Sequence, residues 1–394
     1  MTVDLTNPDC ALDQELVLRG VEESLGQSIF TPMSRLDPEL MLREIAAATG
    51  YQFATAVRLD PALLLLQIRA ALAGGGPSTT PRAATLGSYL GSFPNGLSGD
   101  GTVLTGLVYD ADNEYACYWT NGGQTLTVLQ PISGGPSNPD GFATSASTDG
   151  SIVVGYTAAS DGFSRAVLWT NNGAPFVLDI NEQATQGAAA EACSADGLTI
   201  VGHLNTDDGL LPARWSDGVL TVLAHPTNGG DARACSADGI KIVGFVFDDS
   251  RNSHAALWDG DVDPVQLPGG DFSAAYGVSS DGSIIVGSVT GDGAGRAVYW
   301  QDGTMFRFEE PPDTSNSGCT GISDDGTVAV GFGVISGVTR AMMWRNGVVT
   351  PLGVLSDLDP YSEANAVSRD GTTAVGDSND ASDNDITCFW ILPT

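Results

Sequence analysis

The chain has 394 residues, of which 42% are hydrophobic, enough for a sizeable folded core. Its 48 acidic against 16 basic residues give a formal net charge of -32, and Lys241 is the sole lysine. A surface this anionic repels nucleic-acid phosphates and anionic membranes, which excludes binding to either through a broad basic face, while 50 glycines and only 16% charged residues favour an all-β chain rich in tight turns.

Residues 1–75 read as helical. The start, Met1-Thr-Val-Asp-Leu-Thr, is acidic and polar, so no secretory signal peptide is expected, and no apolar run reaches membrane-spanning length. Asp37-Pro38 and Asp60-Pro61 each set an N-cap acid before a proline at the first helical position, and the helices they open end at Gly50 and Gly74. A further helix is expected between Leu12 and Leu25. The four leucines at 63–66 are apolar nearly all round, which implies burial on more than one side. They pack either on the rest of the chain or on another protein. We favour the second, an anchor for other protein subunits, because the stretch from Gly74 to Pro81 reads as a linker, assigned to residues 76–83.

From residue 84 onward the sequence repeats. The pattern Ser-x-Asp-Gly-x4-Gly begins at Ser98, Ser147, Ser194, Ser236, Ser279, Ser323 and Ser368, and its period runs from 42 to 49 residues. Each copy closes on a tryptophan, at Trp119, Trp169, Trp215, Trp258, Trp300, Trp344 and Trp390, and these are all the tryptophans in the chain. In the copy around Ser279 a strand ends at Val278-Ser279, Asp281-Gly282 turns, and Ser283 to Gly287 returns as a second strand. Residues Arg296 to Trp300 form a third, and a second Asp-Gly turn leads into Met305 to Phe308 as a fourth. Four antiparallel strands per period of this length make one propeller blade.

The expected fold is therefore all-β, a seven-bladed β-propeller over residues 84–394, preceded by the small helical segment. The last copy stops after its third strand, at Trp390-Ile-Leu-Pro-Thr394. A strand candidate at residues 84–90, matching the fourth-strand segment from Thr350 to Leu355, would complete that blade and hide both edges.

The pattern Gly-Val/Ile-Ser-x-Asp-Gly followed by Arg/His-Ala-x-x-Trp, as in Gly321 to Gly326, Arg165 to Trp169, Arg340 to Trp344 and His254 to Trp258, resembles the HAF-type extracellular repeat proteins. The resemblance covers residues 84–394 and implies a propeller found on secreted or surface proteins, with no common catalytic site. Tyr115-Ala116 and Ile386-Thr387 depart from it in the first and last copies.

The repeated acids Asp100, Asp149, Asp196, Asp238, Asp281, Asp325 and Asp370 are read as capping their own turns. Ligand binding is expected instead on the variable loops of the opposite face, where Tyr109, Asp110, Tyr156, Asp207, Asp208, Phe245, Asp248 and Asp249 lie. His203 and His254 are assigned to that face as well. The oxygen-rich cluster Asp377, Asn379, Asp380 and Asp383 is a weak Ca²⁺ candidate without the regular spacing of a calcium loop, so no cofactor is expected. Cys117, Cys193, Cys235 and Cys388 replace small apolar residues in the repeat, and the six cysteines read as buried free thiols and not as a disulfide framework. No nucleophile elbow, zinc-protease helix or phosphate-cradling loop occurs.

The expected function is non-enzymatic recognition. A helical anchor displays the propeller on a larger assembly, such as a virion or phage-like spike, fibre or decoration subunit, where it binds a host-surface glycan or receptor. The location is extracellular or on a particle surface. The alternatives are a polysaccharide-active enzyme with carboxylates at the propeller channel, and an autonomous cell-surface adhesin.

Overall fold

The computed structural model describes residues 81–393 except 136–139, 171, 172, 261, 292, 359 and 383. The helices expected in residues 1–75 and residues 76–80 of the expected linker lie outside the described residues, while Arg82–Ala83 at the linker's end form a strand instead. Thr80–Trp390 forms one compact unit.

Within it the described strands group into seven four-stranded antiparallel sheets, one per repeat. Blade 4 is representative, with strands Gly230–Cys235, Lys241–Phe247, Ser253–Asp259 and Val265–Gln266. The first strands of neighbouring blades touch one another all the way round, blade 7 meeting blade 1, so they line a central channel. The core lies between blades. Val243 and Ala255 of blade 4, for example, pack against Ala275, Ile285, Val298 and Trp300 of blade 5.

Each tryptophan is at most 2% exposed and donates its indole N–H to a carbonyl just past the fourth strand of the preceding blade, as Trp300 does to Pro268 (2.6 Å) and Trp258 to Ala224 (2.7 Å). Burying so large a ring with its one donor satisfied welds blade to blade.

The repeated serine and aspartate build the turn. In every copy the Ser Oγ donates to the Asp Oδ1 at 2.6 to 2.8 Å. The same carboxylate oxygen accepts an amide two residues on, as from Ser283 (2.9 Å), and the Ser Oγ accepts an amide five residues on, as from Ile284 (3.0 Å). The loop is longer than the two-residue Asp-Gly turn read from the sequence. Only the glycine is left-handed (Gly282, φ 69°), its N–H closing on Ser279, while the aspartate keeps ordinary φ so that its carboxylate can cap the turn. Two-residue turns with both φ positive do occur between third and fourth strands, at Asp217-Gly218, Asp302-Gly303 and Asn346-Gly347.

These Ser-x-Asp-Gly turns are also joined into a ring. Thr148 N–H donates to Ala195, Ala195 to Ala237, Ala237 to Ser280, Ser280 to Asp324, Asp324 to Arg369, Arg369 to Gly99, and Asp100 back to Thr148, at 2.9 to 3.2 Å. The backbone itself is thus laced around one end of the channel.

The seventh blade is completed from the N-terminal side, but two residues earlier than the sequence alignment places it. Arg82–Ala83 pairs with Asp385–Ile391, Arg82 opposite Phe389 and Ala83 opposite Cys388. Ala84, not Leu86, stands where Leu352 stands in blade 6. Ala84 N–H donates to Thr387 (2.8 Å) as Leu352 N–H does to Ala341, and the next carbonyl, Thr85, accepts Trp119 Nε1 (2.8 Å). The matching leucine misleads because alanine fills the buried position. Ala84→Pro, which removes that amide from the seam, is expected to cost about 2 kcal/mol and to lower the melting temperature by several degrees. An unchanged melt would argue against the seam carrying load.

Candidate functional site

The ninth-position glycine of the repeat points to the site. A Cβ at Gly106, Gly155, Gly202, Gly244, Gly287, Gly331 or Gly376 would overlap the carbonyl oxygen of Phe93, Phe142, Ala189, Asp231, Ala274, Gly318 or Glu363 respectively. Each carbonyl belongs to the first strand of the same blade, just before a β-bulge that inserts one extra residue. Those extra residues are Asn95, Thr144, Glu191, Arg233, Tyr276, Thr320 and Asn365, each three positions before the repeated serine.

Three of them tie neighbouring first strands together. Thr144 Oγ1 donates to Ala190 (2.9 Å), Thr320 Oγ1 to Ala364 (2.7 Å) and Asn365 Nδ2 to Pro94 (2.8 Å). All but Thr144 line a cavity of about 330 Å³ that Glu363 and Asp377 also border. This is the mid-channel site, and five residue types occupy its seven bulge positions where the repeated turn serine, aspartate and glycine do not change.

One wall of the site, from blades 3 and 4, is a charged cluster. Asp231 is fully buried, and His203 Nδ1 lies 3.0 Å from its Oδ1 and 3.6 Å from Glu191 Oε1. Arg233 approaches the other oxygens, with Nε 2.7 Å from Asp231 Oδ2 and Nη1 3.7 Å from Glu191 Oε2, and its guanidinium sits 5.7 Å from the centre of the Phe245 ring. Burial pushes the Glu191 carboxyl up, against the pull of Arg233. Burial pulls the His203 imidazole down, but the Asp231 hydrogen bond and the charges of Asp231 and Glu191 outweigh it and the net shift is upward.

The opposite chemistry stands in blade 7. Glu363 and Asp377 are cross-strand neighbours, and Tyr361 Oη donates to Glu363 Oε2 (3.2 Å). Burial first, then the charge of Glu363, raises Asp377 to about 7, and burial raises Glu363 as well. Two like groups stand cross-strand with little access to water, which disfavours ionising both.

His203 therefore belongs to the channel wall and not to the loop face assigned from the sequence. It directly follows the ninth-position glycine, a site cross-strand from the bulge. Tyr156 and Phe245 hold the equivalent position in blades 2 and 4, where Tyr156 meets Phe142 edge-on with ring centres 6.2 Å apart. Tyr109 stacks on Phe93 at 5.7 Å.

Asp110 and Asp248 spend their carboxylates in their own loops. Asp110 accepts the amides of Asp112 and Asn113 and the Tyr115 hydroxyl (3.0 Å), and the Asp112 amide leads in holding its carboxyl below the usual range. Asp248 caps Ser250 and Asn252 and meets His254 Nε2 at 3.1 Å, which lowers it to about 2, the Asn252 amide contributing most. Asp207 accepts from Gln186 (2.9 Å), the Asp208 carbonyl accepts from Arg251 (3.4 Å), and Asp249 is exposed.

The Ca²⁺ candidate comes apart. Asp377 turns inward to Glu363, whereas Asp380 caps the amides of Ser382 and Asn384 in its own loop. Asn379 ends the strand between them, and Asp383 lies outside the described residues. Asp377 and Asn379 share a face of that strand, but the Asp380 carboxylate beyond its end is turned to its own loop amides. The cysteines Cys117, Cys193, Cys319 and Cys388 are buried and Cys235 is half-buried, and all five are free thiols.

No family model matches the chain, and no curated protein matches it. Among solved structures, the β-propeller domain of the Trilobed protease from Pyrococcus furiosus is similar, with a TM-score of 0.54 and 13% identity, covering 76% of this chain and 95% of that one. Oligogalacturonate lyase from Vibrio parahaemolyticus is similar at a TM-score of 0.52 and 13% identity, covering 80% of this chain and 92% of that one. At these identities the likeness is one of fold.

Proposed function

We propose that the chain is a recognition protein whose propeller takes a hydroxyl-rich ligand, a glycan of one or two sugar units, in its central channel. The observation that carries this reading is the bulge position. Seven copies share their serine, aspartate, glycines and tryptophan, yet place Asn95, Thr144, Glu191, Arg233, Tyr276, Thr320 and Asn365 at one level of the channel. A cavity of about 330 Å³ bordered by amides, carboxylates, a guanidinium and a phenol matches the hydrogen-bonding pattern and the size of such a ligand. Among the loop acids, Asp110 and Asp248 are bound up in their own turns and offer it less. Residues 1–75 supply attachment to other subunits of a surface or particle assembly, and the anionic charge suits such a setting.

Glycan-array screening followed by calorimetry tests the site. Tyr276→Ala and Asn95→Ala are expected to weaken the best hit at least tenfold, while Asp207→Ala leaves it unchanged. Binding that survives both channel changes and is lost with Asp207→Ala moves the site to the loop face.

A second reading is supported by Asp377, a carboxyl held near 7 by burial beside Glu363. A protonated carboxyl at neutral pH is what a general acid in polysaccharide cleavage requires. Turnover of an array hit, abolished by Asp377→Asn, would select the enzyme over the recognition protein.

A further inference from the structure

We propose that Glu191, His203 and Asp231 form a binding site for a divalent first-row transition metal, Zn²⁺ or Mn²⁺, on the channel wall. Their donor atoms lie within 4.8 Å of one another. His203 Nδ1 is 3.0 Å from Asp231 Oδ1 and 3.6 Å from Glu191 Oε1. Ligands at bond lengths of about 2.1 Å in a tetrahedral or octahedral shell stand roughly 3.0 to 3.4 Å apart, and the two separations from His203 Nδ1, 3.0 and 3.6 Å, fall at or near that range. One imidazole nitrogen with two carboxylate oxygens is a donor set for Zn²⁺ or Mn²⁺ in preference to a soft metal.

Arg233 explains why these oxygens converge. Its guanidinium reaches Asp231 Oδ2 and Glu191 Oε2, the outer oxygen of each carboxylate, and leaves Oδ1 and Oε1 turned to the imidazole. It stands where an outer-shell group that orients metal-binding carboxylates stands. Its positive charge is offset, since Glu191, Asp231 and Arg233 together sum to -1 when ionised. The three donors sit on strands Ala188–Cys193, Thr199–Thr206 and Gly230–Cys235, held in register by the bulges, so the site is preformed. Glu191 borders the cavity, which leaves the remaining coordination positions open to water or a ligand's oxygens. The site stands independently of which organic ligand the channel takes.

The test uses the full chain, stripped with chelator and dialysed, then titrated separately with Zn²⁺ and Mn²⁺ and read by calorimetry and metal analysis. One saturable equivalent per chain is expected, weakened at least tenfold in His203→Gln and Glu191→Gln and unchanged in Asp380→Asn. If the variants fail to fold, ¹⁴N hyperfine coupling in the electron-spin-echo spectrum of the Mn²⁺-loaded wild type reports imidazole ligation directly. Absence of saturable uptake, full retention of binding in folded His203→Gln, or bound Mn²⁺ without nitrogen coupling would each overturn the site in favour of a structural ion-pair cluster.

Discussion

Gly287→Ala is expected to destabilise the propeller by roughly 4 kcal/mol or more, among the largest single-site effects the fold allows. The added Cβ overlaps the Ala274 carbonyl oxygen, with Ala275 Cα close behind. Neither is the flexible end of a side chain. Both belong to a first strand paired on one side and packed against blade 6 on the other, so relief requires the bulge to be expelled and the register of Phe272–Val278 to slip. The control is Gly291→Ala, where nothing lies within 4 Å of the new methyl and φ is ordinary, so that restricting the unfolded chain alone gives a neutral or slightly higher melt. Circular-dichroism melts of the two variants decide the matter. A drop of at least 5 °C for Gly287→Ala is expected, and a melt within 1 °C of the wild type would mean the bulge is not fixed by this contact.

The second large effect is one of pH. A carboxyl raised in the fold retains a proton that the unfolded chain has released, so its contribution to stability falls as pH rises from the unfolded value to the folded one. For Asp377 the window runs from 3.8 to about 7. About three pKa units correspond to a penalty of roughly 4 kcal/mol above pH 7, shared with its neighbour Glu363. Asp377→Asn keeps the shape and drops the charge. Its stability should equal that of the wild type near pH 4 and exceed it increasingly up to pH 8, by several kcal/mol at the plateau. Denaturant unfolding at five pH values gives the difference curve. A flat curve would show that Asp377 ionises in the fold without penalty.

The blades were legible in the sequence because they are repeated seven times and because serine, aspartate, glycine and tryptophan each do one thing that few other residues do. The Trp300 indole needs a buried carbonyl, and the Asp281 carboxylate needs the amides of its own turn. The channel was not legible for the converse reason. Asn95, Glu191, Arg233 and Tyr276 share no chemistry, so by pattern they read as spacers. The bulge that turns them inward also breaks the alternation that would have shown which way they face. A signal was nevertheless present, since a glycine repeated in mid-strand marks a close approach of another backbone. Followed across the strand pair, it leads to the bulge and to His203. The acids at 110, 248 and 380 attracted notice as charges on variable loops, yet amide-rich turns of their own consume them.

The ring of backbone bonds running from Thr148 through Ala195, Ala237, Ser280, Asp324 and Arg369 to Gly99 and Asp100 makes the molecule behave as a hoop. A hoop has no weakest end from which to fray. Tilting one blade strains both neighbours, and the strain meets itself on the far side, so the blades are constrained to tilt together. The channel wall is thus fastened at one end by a closed circuit in which every blade is tied to both of its neighbours.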